Sequence, residues 1–291
     1  MARNNEDRMG ARPADDAPPA SIVDQPANQP VGLSFVVPTE HVELPSKGMF
    51  YPEGHPLHGQ ETIEIKHMTA KEEEILTSRA LLKKGIAVDR LLQNVIMNKA
   101  INVNNLLVGD KNAILVWTRM LAYGPEYSAK VTCPSCGESS EHTFNLHAGS
   151  VTHPELFGPE DGFTKVTDST FGILLPKTQV LAEVRLLFGE DETYLSRVLE
   201  RRKKQNLINH LTDSLLTEQM KRAVVSLNGV TDRQQINEFI MNMPAADSRH
   251  FRKVYTTLTP NYDLKQEFGC PACGELTDME VPLTAEFFWP K

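Results

Sequence analysis

The sequence predicts an α+β protein, in which a helical block is followed by two cysteine-bearing β-hairpins. Two observations favour this fold class. Residues 69–123 and 191–258 carry apolar side chains at helical spacing. A Cys-Pro-x-Cys-Gly motif occurs twice, at 133–137 and 270–274, each time between short segments that are typical of strands. Helices and hairpins therefore occupy separate stretches of one chain.

Composition sets the first limits. The chain has 291 residues, 40% of them apolar, which is enough core for one large or two ordinary domains. Lysine and arginine total 30 against 38 acidic residues, and the resulting net charge of -8 argues against a general nucleic-acid binder. The longest strictly apolar run is Ala113–Trp117. We therefore expect no transmembrane helix, and the polar start of the chain predicts no secretory signal.

The first part of the chain divides into a polar segment and a folded one. Residues 1–30 contain five prolines and almost no large apolar side chain, which predicts either a disordered segment or an arm that docks onto a partner. Residues 31–126 are predicted to form short strands and then a helical domain. The predicted strands are Leu33–Val37 and Glu61–Lys66.

Helix boundaries in this domain follow from capping residues. Thr69 and Glu72 form a capping box, which predicts a helix that runs to Gly85. A second apolar stripe covers residues 88–96. Asp110 is predicted to cap a third helix, whose wide apolar face indicates the buried centre of the domain.

Residues 150–259 are predicted to form a separate β-plus-helical subdomain. A hairpin is expected around Pro176–Thr178, where turn residues precede an alternating strand. Asp232 and Gln235 resemble a capping box at the start of a later helix. Pro244 ends that helix and opens another with the same apolar spacing.

The chain has four cysteines, and all of them lie in the two motifs. A Cys-x-x-Cys turn presents two thiolates at the spacing that zinc requires, and two such turns complete a tetrahedral site. The motifs are separated by 133 residues, far more than in a compact ribbon. The full prediction is a helical block plus a zinc ribbon split by a β-plus-helical insertion, with ribbon halves at 127–149 and 260–291. The predicted ligands of a structural Zn²⁺ are Cys133, Cys136, Cys270 and Cys273.

Alternatives to this site exist. Each motif could instead form its own disulfide or remain a free dithiol, although a reducing compartment favours metal. His142 and His147 could be ligands only if a cysteine were displaced, and we interpret both as ordinary surface or strand histidines. A catalytic zinc is disfavoured because four cysteines leave no coordination position for water.

No enzyme signature is present in the sequence. It lacks the zinc-protease, nucleophile-elbow, phosphate-loop and dinucleotide motifs. One polar cluster and one basic run are interpreted as a solvated loop and a solvated helix face. These are His153, Glu155, Glu160 and Asp161, and then Arg201–Lys204. The sequence therefore predicts a protein that is not an enzyme and has no small-molecule substrate.

Three consecutive aromatic residues, Phe287–Trp289, lie near the carboxy end of the sequence. Exposed termini usually fray, so these side chains must be buried somewhere. We expect them to pack on their own core rather than into a neighbouring protein.

Several stretches, taken in order, resemble the baseplate hub proteins of T-even-like contractile-tailed bacteriophages. The matching stretches are 43–52, 67–76, 109–111, 123–127, both cysteine motifs and 287–290. The resemblance implies a non-enzymatic structural component of the tail baseplate hub, located in the virion and assembled in the host cytoplasm. Its partners would be other phage tail and baseplate hub proteins.

Two other functions stay open. The chain could be a tail or baseplate assembly chaperone that is absent from the mature particle. A weaker alternative is a zinc-ribbon nucleic-acid-binding protein, which the net charge of -8 disfavours. We expect neither nucleic acid nor membrane among the partners.

Overall fold

The computed structural model describes residues 36–153, 158–204, 211–282 and 285–288. The described residues from Val37 onward belong to one compact unit, a mixture of helices and small antiparallel sheets, and this confirms the α+β class. The helices are α1 (Ala70–Thr77), α2 (Arg79–Lys83), α3 (Ala87–Val95), α4 (Val108–Tyr123), α5 (Gly189–Lys204), α6 (Leu211–Ala223), α7 (Arg233–Asn242) and α8 (Ala245–Leu258). The strands are β1 (Thr39–Glu43), β2 (Thr62–Lys66), β3 (Glu126–Thr132), β4 (Ser139–Asn145), β5 (Ser150–Thr152), β6 (Phe163–Lys165), β7 (Thr170–Leu174), β8 (Leu181–Arg185), β9 (Val224–Leu227), β10 (Asn261–Asp263), β11 (Lys265–Gly269) and β12 (Leu276–Glu280).

The first sheet is the antiparallel pair β1–β2, and it packs its apolar face on the core through Val42, Ile63 and Ile65. The second predicted strand is confirmed. Most of the first predicted strand, residues 33–35, lies outside the described residues; Val36 and Val37 are not in a strand, and β1 begins at Thr39. The predicted arm, residues 1–30, also lies outside the described residues.

The capping box at the start of α1 is confirmed. The backbone N–H and the hydroxyl of Thr69 both donate to the Glu72 carboxylate, at 2.9 and 2.6 Å. The predicted single helix to Gly85 is wrong, because the helix breaks at Ser78. That residue has extended backbone angles and separates α1 from α2. Gly85, with φ of +67°, follows the end of α2 as expected.

Asp110 does not cap α4, which is a correction to the prediction. The helix begins at Val108, and Asp110 is its third residue, fully buried. Its carboxylate accepts hydrogen bonds from the backbone N–H of Ser46 (2.9 Å), the Ser46 hydroxyl (2.6 Å) and the Tyr51 hydroxyl (2.7 Å). Asp110 therefore fastens the turn after β1 to the first turn of the central helix.

Residues 158–258 contain a four-stranded antiparallel sheet in the order β6–β7–β8–β9. The predicted hairpin is confirmed as β7–β8, and its inner face buries Ile173 against Ala182 and Phe171 against Val184. Asp247, in the first turn of α8, accepts hydrogen bonds from the turn of this hairpin. The turn of the hairpin is thus fastened to the start of α8.

The helix boundaries predicted in this part are confirmed. The Asp232 carboxylate caps α7 by accepting from the backbone N–H of Gln235 at 2.8 Å. Pro244 directly precedes α8. Among the described helices, none combines the length and the apolarity needed to cross a membrane.

A buried carboxylate joins the sheet to two helices. Asp191, near the start of α5, accepts two hydrogen bonds from the Arg185 guanidinium. It also forms an ion pair with Arg222 of α6. Burial raises the pKa of this carboxyl, but hydrogen bonds from Arg185 and the backbone N–H of Phe188, with the charge of Arg222, lower it below its ordinary value overall. The carboxylate therefore stays charged inside the fold.

The segment between the two cysteine hairpins begins and ends at neighbouring strands. β5, which follows the first hairpin, pairs antiparallel with β10, which precedes the second. The Tyr262 hydroxyl in β10 donates to the carbonyl of Leu146 at 2.8 Å. The long segment between the hairpins is thus closed at its base by backbone pairing.

Two of the three aromatic residues near the carboxy end pack on their own core, as predicted. Phe287 and Phe288 are buried, and Phe287 meets Tyr127 edge-to-face. The guanidinium of Arg119 donates to the carbonyl of Phe287 at 2.8 Å. Trp289 lies outside the described residues.

Candidate metal centre

Each cysteine motif forms the tip of a two-stranded hairpin, β3–β4 for the first and β11–β12 for the second. In the first tip the backbone N–H of Cys133 donates to the Glu138 carbonyl at 2.8 Å, and that of Gly137 donates to the Cys133 carbonyl at 3.0 Å. Gly137 adopts φ of +75°, which its lack of a Cβ permits. The second tip repeats this pattern with Cys270, Gly274 and Glu275.

The two tips face each other, and all four sulfurs lie within 4.8 Å of one another. The Sγ atoms of Cys133 and Cys273 are 3.8 Å apart, and those of Cys136 and Cys270 are 3.7 Å apart. None of the four residues forms a disulfide bond. The edge of a zinc–sulfur tetrahedron with bonds of about 2.3 Å is about 3.8 Å. The cross-hairpin distances therefore match the spacing of a four-coordinate metal site.

The first cysteine of each motif points inward and the second points outward. Cys133 and Cys270 are buried, whereas Cys136 and Cys273 are exposed. Backbone N–H groups are directed at the sulfurs. Hydrogen bonds from the backbone N–H groups of Cys273, which has the largest effect, and of Ala272 lower the pKa of the Cys270 thiol to about 7. Burial of the thiol acts in the opposite direction. The pKa of the Cys270 thiol is thus lowered towards the thiolate, the form that binds metal. The pKa of the Cys273 thiol is instead raised to about 12, because the lowering effect of the backbone at Glu275 is outweighed by hydrogen bonds with the neighbouring thiols and by desolvation.

Aromatic residues pack between the two cysteine hairpins. Phe144 of β4 and Phe268 of β11 are both buried, and the His142 ring contacts each edge-to-face, with centroids 4.7 and 5.2 Å away. His147 packs against Trp117. Neither histidine belongs to the group of possible metal ligands. Both instead pack against aromatic side chains, as structural histidines do.

The structure also shows a link between the hairpins that sequence reasoning missed. The side-chain amide of Gln266 in β11 bonds both backbone groups of Asn145 at the end of β4. Nothing in the local sequence around Gln266 signals this contact, since its partner lies 121 positions away. The two cysteine hairpins are therefore held together by polar contacts as well as by apolar packing.

The other polar residues considered from the sequence have local roles. His153 contacts the Pro45 carbonyl and the Glu43 carboxylate, both at 3.3 Å. Asp161 accepts from the backbone N–H of Gly158. Glu160 is exposed, and Glu155 lies outside the described residues.

The remaining sequence feature is the basic run at the end of α5. Arg201–Lys204 are the last four residues of that helix, and Arg201 is exposed. Within the described part of the chain, the four cysteines form the one group of three or more metal-ligating side chains that lie close together. The candidate site is therefore the thiol cluster.

Comparison with known proteins adds an independent finding. A family model described as T4 bacteriophage base plate protein matches residues 37–289, which is most of the chain. The matched range contains the helical block, the intervening sheet and both cysteine hairpins. No curated protein and no solved structure matches the chain.

Proposed function

The chain belongs to the T4 bacteriophage base plate protein family, and on that premise we propose that it is a non-enzymatic part of the baseplate hub, stabilised by one structural zinc ion. Membership makes it a structural component of a phage baseplate, located in the tail of the virion. The position in the hub and the identity of the metal are the proposed refinements. The single observation that carries the proposal is the family match over residues 37–289.

Zinc is the metal that the donor set favours. Four thiolates are soft ligands, and at tetrahedral spacing they suit zinc better than the oxygen-preferring calcium or magnesium. In this proposal Cys133, Cys136, Cys270 and Cys273 hold the ion, and the two hairpins become the halves of one ribbon. The ion supplies cross-linking rather than chemistry, because four protein ligands leave no open position for water or substrate.

The proposed domain organisation follows from the same site. Residues 150–259 are an insertion into the ribbon, and the pairing of β5 with β10 supports this because it closes the base of that segment. The partners proposed are other phage tail and baseplate hub proteins. Synthesis and assembly in the host cytoplasm are part of the proposal.

Quantitative mass spectrometry of purified virions and of isolated tails tests this function. We expect the chain in both preparations at a fixed ratio to other baseplate proteins. Deleting its gene should leave heads intact and tails absent or without a baseplate, and a plasmid copy should restore them. Normal infectious tails in the deletion would show the hub assignment to be wrong.

The same preparations distinguish the alternative. If baseplates depend on the gene but purified particles lack the chain, it acts as an assembly chaperone instead. A sample of assembling tails taken before release serves as the positive control for detection. Presence in the mature particle at constant stoichiometry would favour the structural role.

A further inference from the structure

A groove of about 330 Å³ opens between the first turns of α4 and the helices α6 and α8. Its floor is apolar and includes Leu187, Met220 and Phe251. The volume is within the range of about 300 to 1,000 Å³ that is typical of binding pockets. None of the four cysteines of the proposed zinc site is among the residues that line the groove.

The rim of the groove is polar but carries no carboxylate. Asn112, Gln219 and Thr256 contribute neutral polar groups. Arg252 is the single charged side chain among the residues that line the groove. An occupant with carboxylates would therefore meet a cation and no competing acid.

Two more cations flank Arg252 on the exposed face of α8. Arg249 is three residues before Arg252 and four residues before Lys253. Residues at these two spacings are neighbours on a helix surface, so the positive charge of Arg249 is repelled by both of the others. Among the ion pairs of the described residues, none involves any of the three. Arg252 donates to the Ser248 carbonyl of its own helix. This arrangement costs helix stability and is compensated by nothing within the described fold.

The arrangement contrasts with that of three partly buried cations, Lys111, Arg185 and Arg222. Lys111 is paired with two carboxylates, and Arg185 and Arg222 share Asp191. The chain as a whole has a net charge of -8. A cluster of three cations without carboxylate partners beside an apolar groove is therefore a local exception to the charge of the molecule.

We propose that this groove docks an acidic segment of another baseplate protein. The segment places an apolar side chain on the floor and carboxylates against Arg249, Arg252 and Lys253. The inference rests on the proposed function in taking the partner from the baseplate. A free anion would leave the apolar floor bare, and three cations neutralise too few phosphates for tight nucleic-acid binding.

Peptide binding to the purified full-length chain tests the inference. The probe is a fluorescent helical peptide of about four turns with leucine on one face and glutamate on the other. Its matched counterpart carries lysine in place of glutamate. We expect the glutamate peptide to bind about tenfold or more tightly than the lysine peptide, and the difference to shrink as salt rises.

Three variants locate the binding site. Arg252→Glu should weaken the glutamate peptide about tenfold or more. Thr256→Trp, an exposed change at the rim, should block the groove without altering charge. Lys130→Glu on exposed β3 makes the same charge change elsewhere and should leave binding unchanged. Circular dichroism and thermal unfolding confirm that each variant is folded.

The proposal is wrong if the glutamate peptide does not bind, if both peptides bind equally, or if Arg252→Glu and Thr256→Trp have no effect. A single-stranded oligonucleotide that binds tightly and is lost in Arg252→Glu would assign the face to nucleic acid instead. All these measurements use the isolated chain. They therefore fail or succeed independently of whether the chain is found in purified tails.

Discussion

Gln266 clasps the backbone of Asn145 with both atoms of its side-chain amide. Its Oε1 accepts from the Asn145 N–H at 3.0 Å, and its Nε2 donates to the Asn145 carbonyl at 2.7 Å. The side chain thereby makes the two hydrogen bonds to Asn145 that the backbone of a paired strand would make, although β4 and β11 are not paired with each other. It ties the base of one cysteine hairpin to the other.

Gln266→Ala should loosen the two hairpins. Both contacts are exposed, so water replaces the lost partners and the expected loss in the free energy of unfolding is about 1 kcal/mol. Urea denaturation measures the loss, and zinc release to a chelator should become faster. Glu267→Ala, an exposed neighbour on the same strand, is the control and should change neither quantity. Unaltered zinc release in Gln266→Ala would show that the clasp does not hold the ligands together.

Cys270→Ser should remove the metal from the protein. Elemental analysis of the reduced native chain is expected to give close to one zinc per chain, and the variant should give none, because a hydroxyl is a poor replacement for a thiolate. Its melting temperature should fall, since the binding energy of a structural ion is also folding energy. Ser135→Ala lies in the first motif but leaves all four thiols, and it should keep the metal. A native chain that is metal-free yet fully folded would contradict the site.

Asp191 should make the fold sensitive to acid. Because its pKa is lower in the folded chain than in the unfolded chain, its contribution is present above the unfolded value of about 4 and is lost as pH falls through the folded value. Asp191→Asn should cost about 2–3 kcal/mol near neutral pH, where it leaves Arg185 and Arg222 without their shared carboxylate. The difference between wild type and variant should shrink on acidification, as urea denaturation at several pH values would show.

A matched control uses a carboxylate on the surface. Asp168 pairs with Lys165, but its side chain is 97% exposed. Asp168→Asn should therefore leave the unfolding curve at neutral pH unchanged within error. Equal effects of the two substitutions would mean that the buried network contributes no more than a surface pair.

Arg119→Lys should release the aromatic segment near the carboxy end. The Arg119 guanidinium reaches three carbonyls at once, those of Phe287 (2.8 Å), Gly124 (3.0 Å) and Glu126 (3.3 Å). A lysine ammonium lacks the planar fork and cannot span them, so we expect a loss of about 1–3 kcal/mol. Hydrogen exchange should show faster exchange in residues 285–288. Arg90→Lys, at an exposed position of α3, should have no effect.

The features that could be predicted from the sequence are those whose causes lie within a few residues. Thr69 and Glu72 are three positions apart, as are Asp232 and Gln235, and each cysteine motif carries its own turn glycine. The physical interaction and the sequence pattern coincide at this range. The caps at Thr69 and Asp232 and both hairpin tips were therefore predicted correctly, and the prediction that the two motifs meet followed from the chemistry of zinc.

The errors come from long-range contacts. Asp110 matched an N-cap by type, but its partners Ser46 and Tyr51 lie 64 and 59 positions earlier, and burial rather than helix capping determines its role. The break at Ser78 interrupts a stretch whose local residues all tolerate helix. The clasp by Gln266 spans 121 positions. None of these contacts leaves a periodic or local trace that a single sequence could reveal.

The distance along the chain between the two hairpins has a consequence in time. During synthesis, Cys133 and Cys136 emerge first, and 133 further residues must be translated before Cys270 exists. At about 5–20 residues per second, the first half of the proposed metal site waits for roughly 7 to 27 seconds. A site with four cysteine ligands cannot be completed during that delay, because Cys270 and Cys273 have not yet been added. If the proposed ion binds, its capture marks each chain in which translation has passed the whole intervening sheet and its helices.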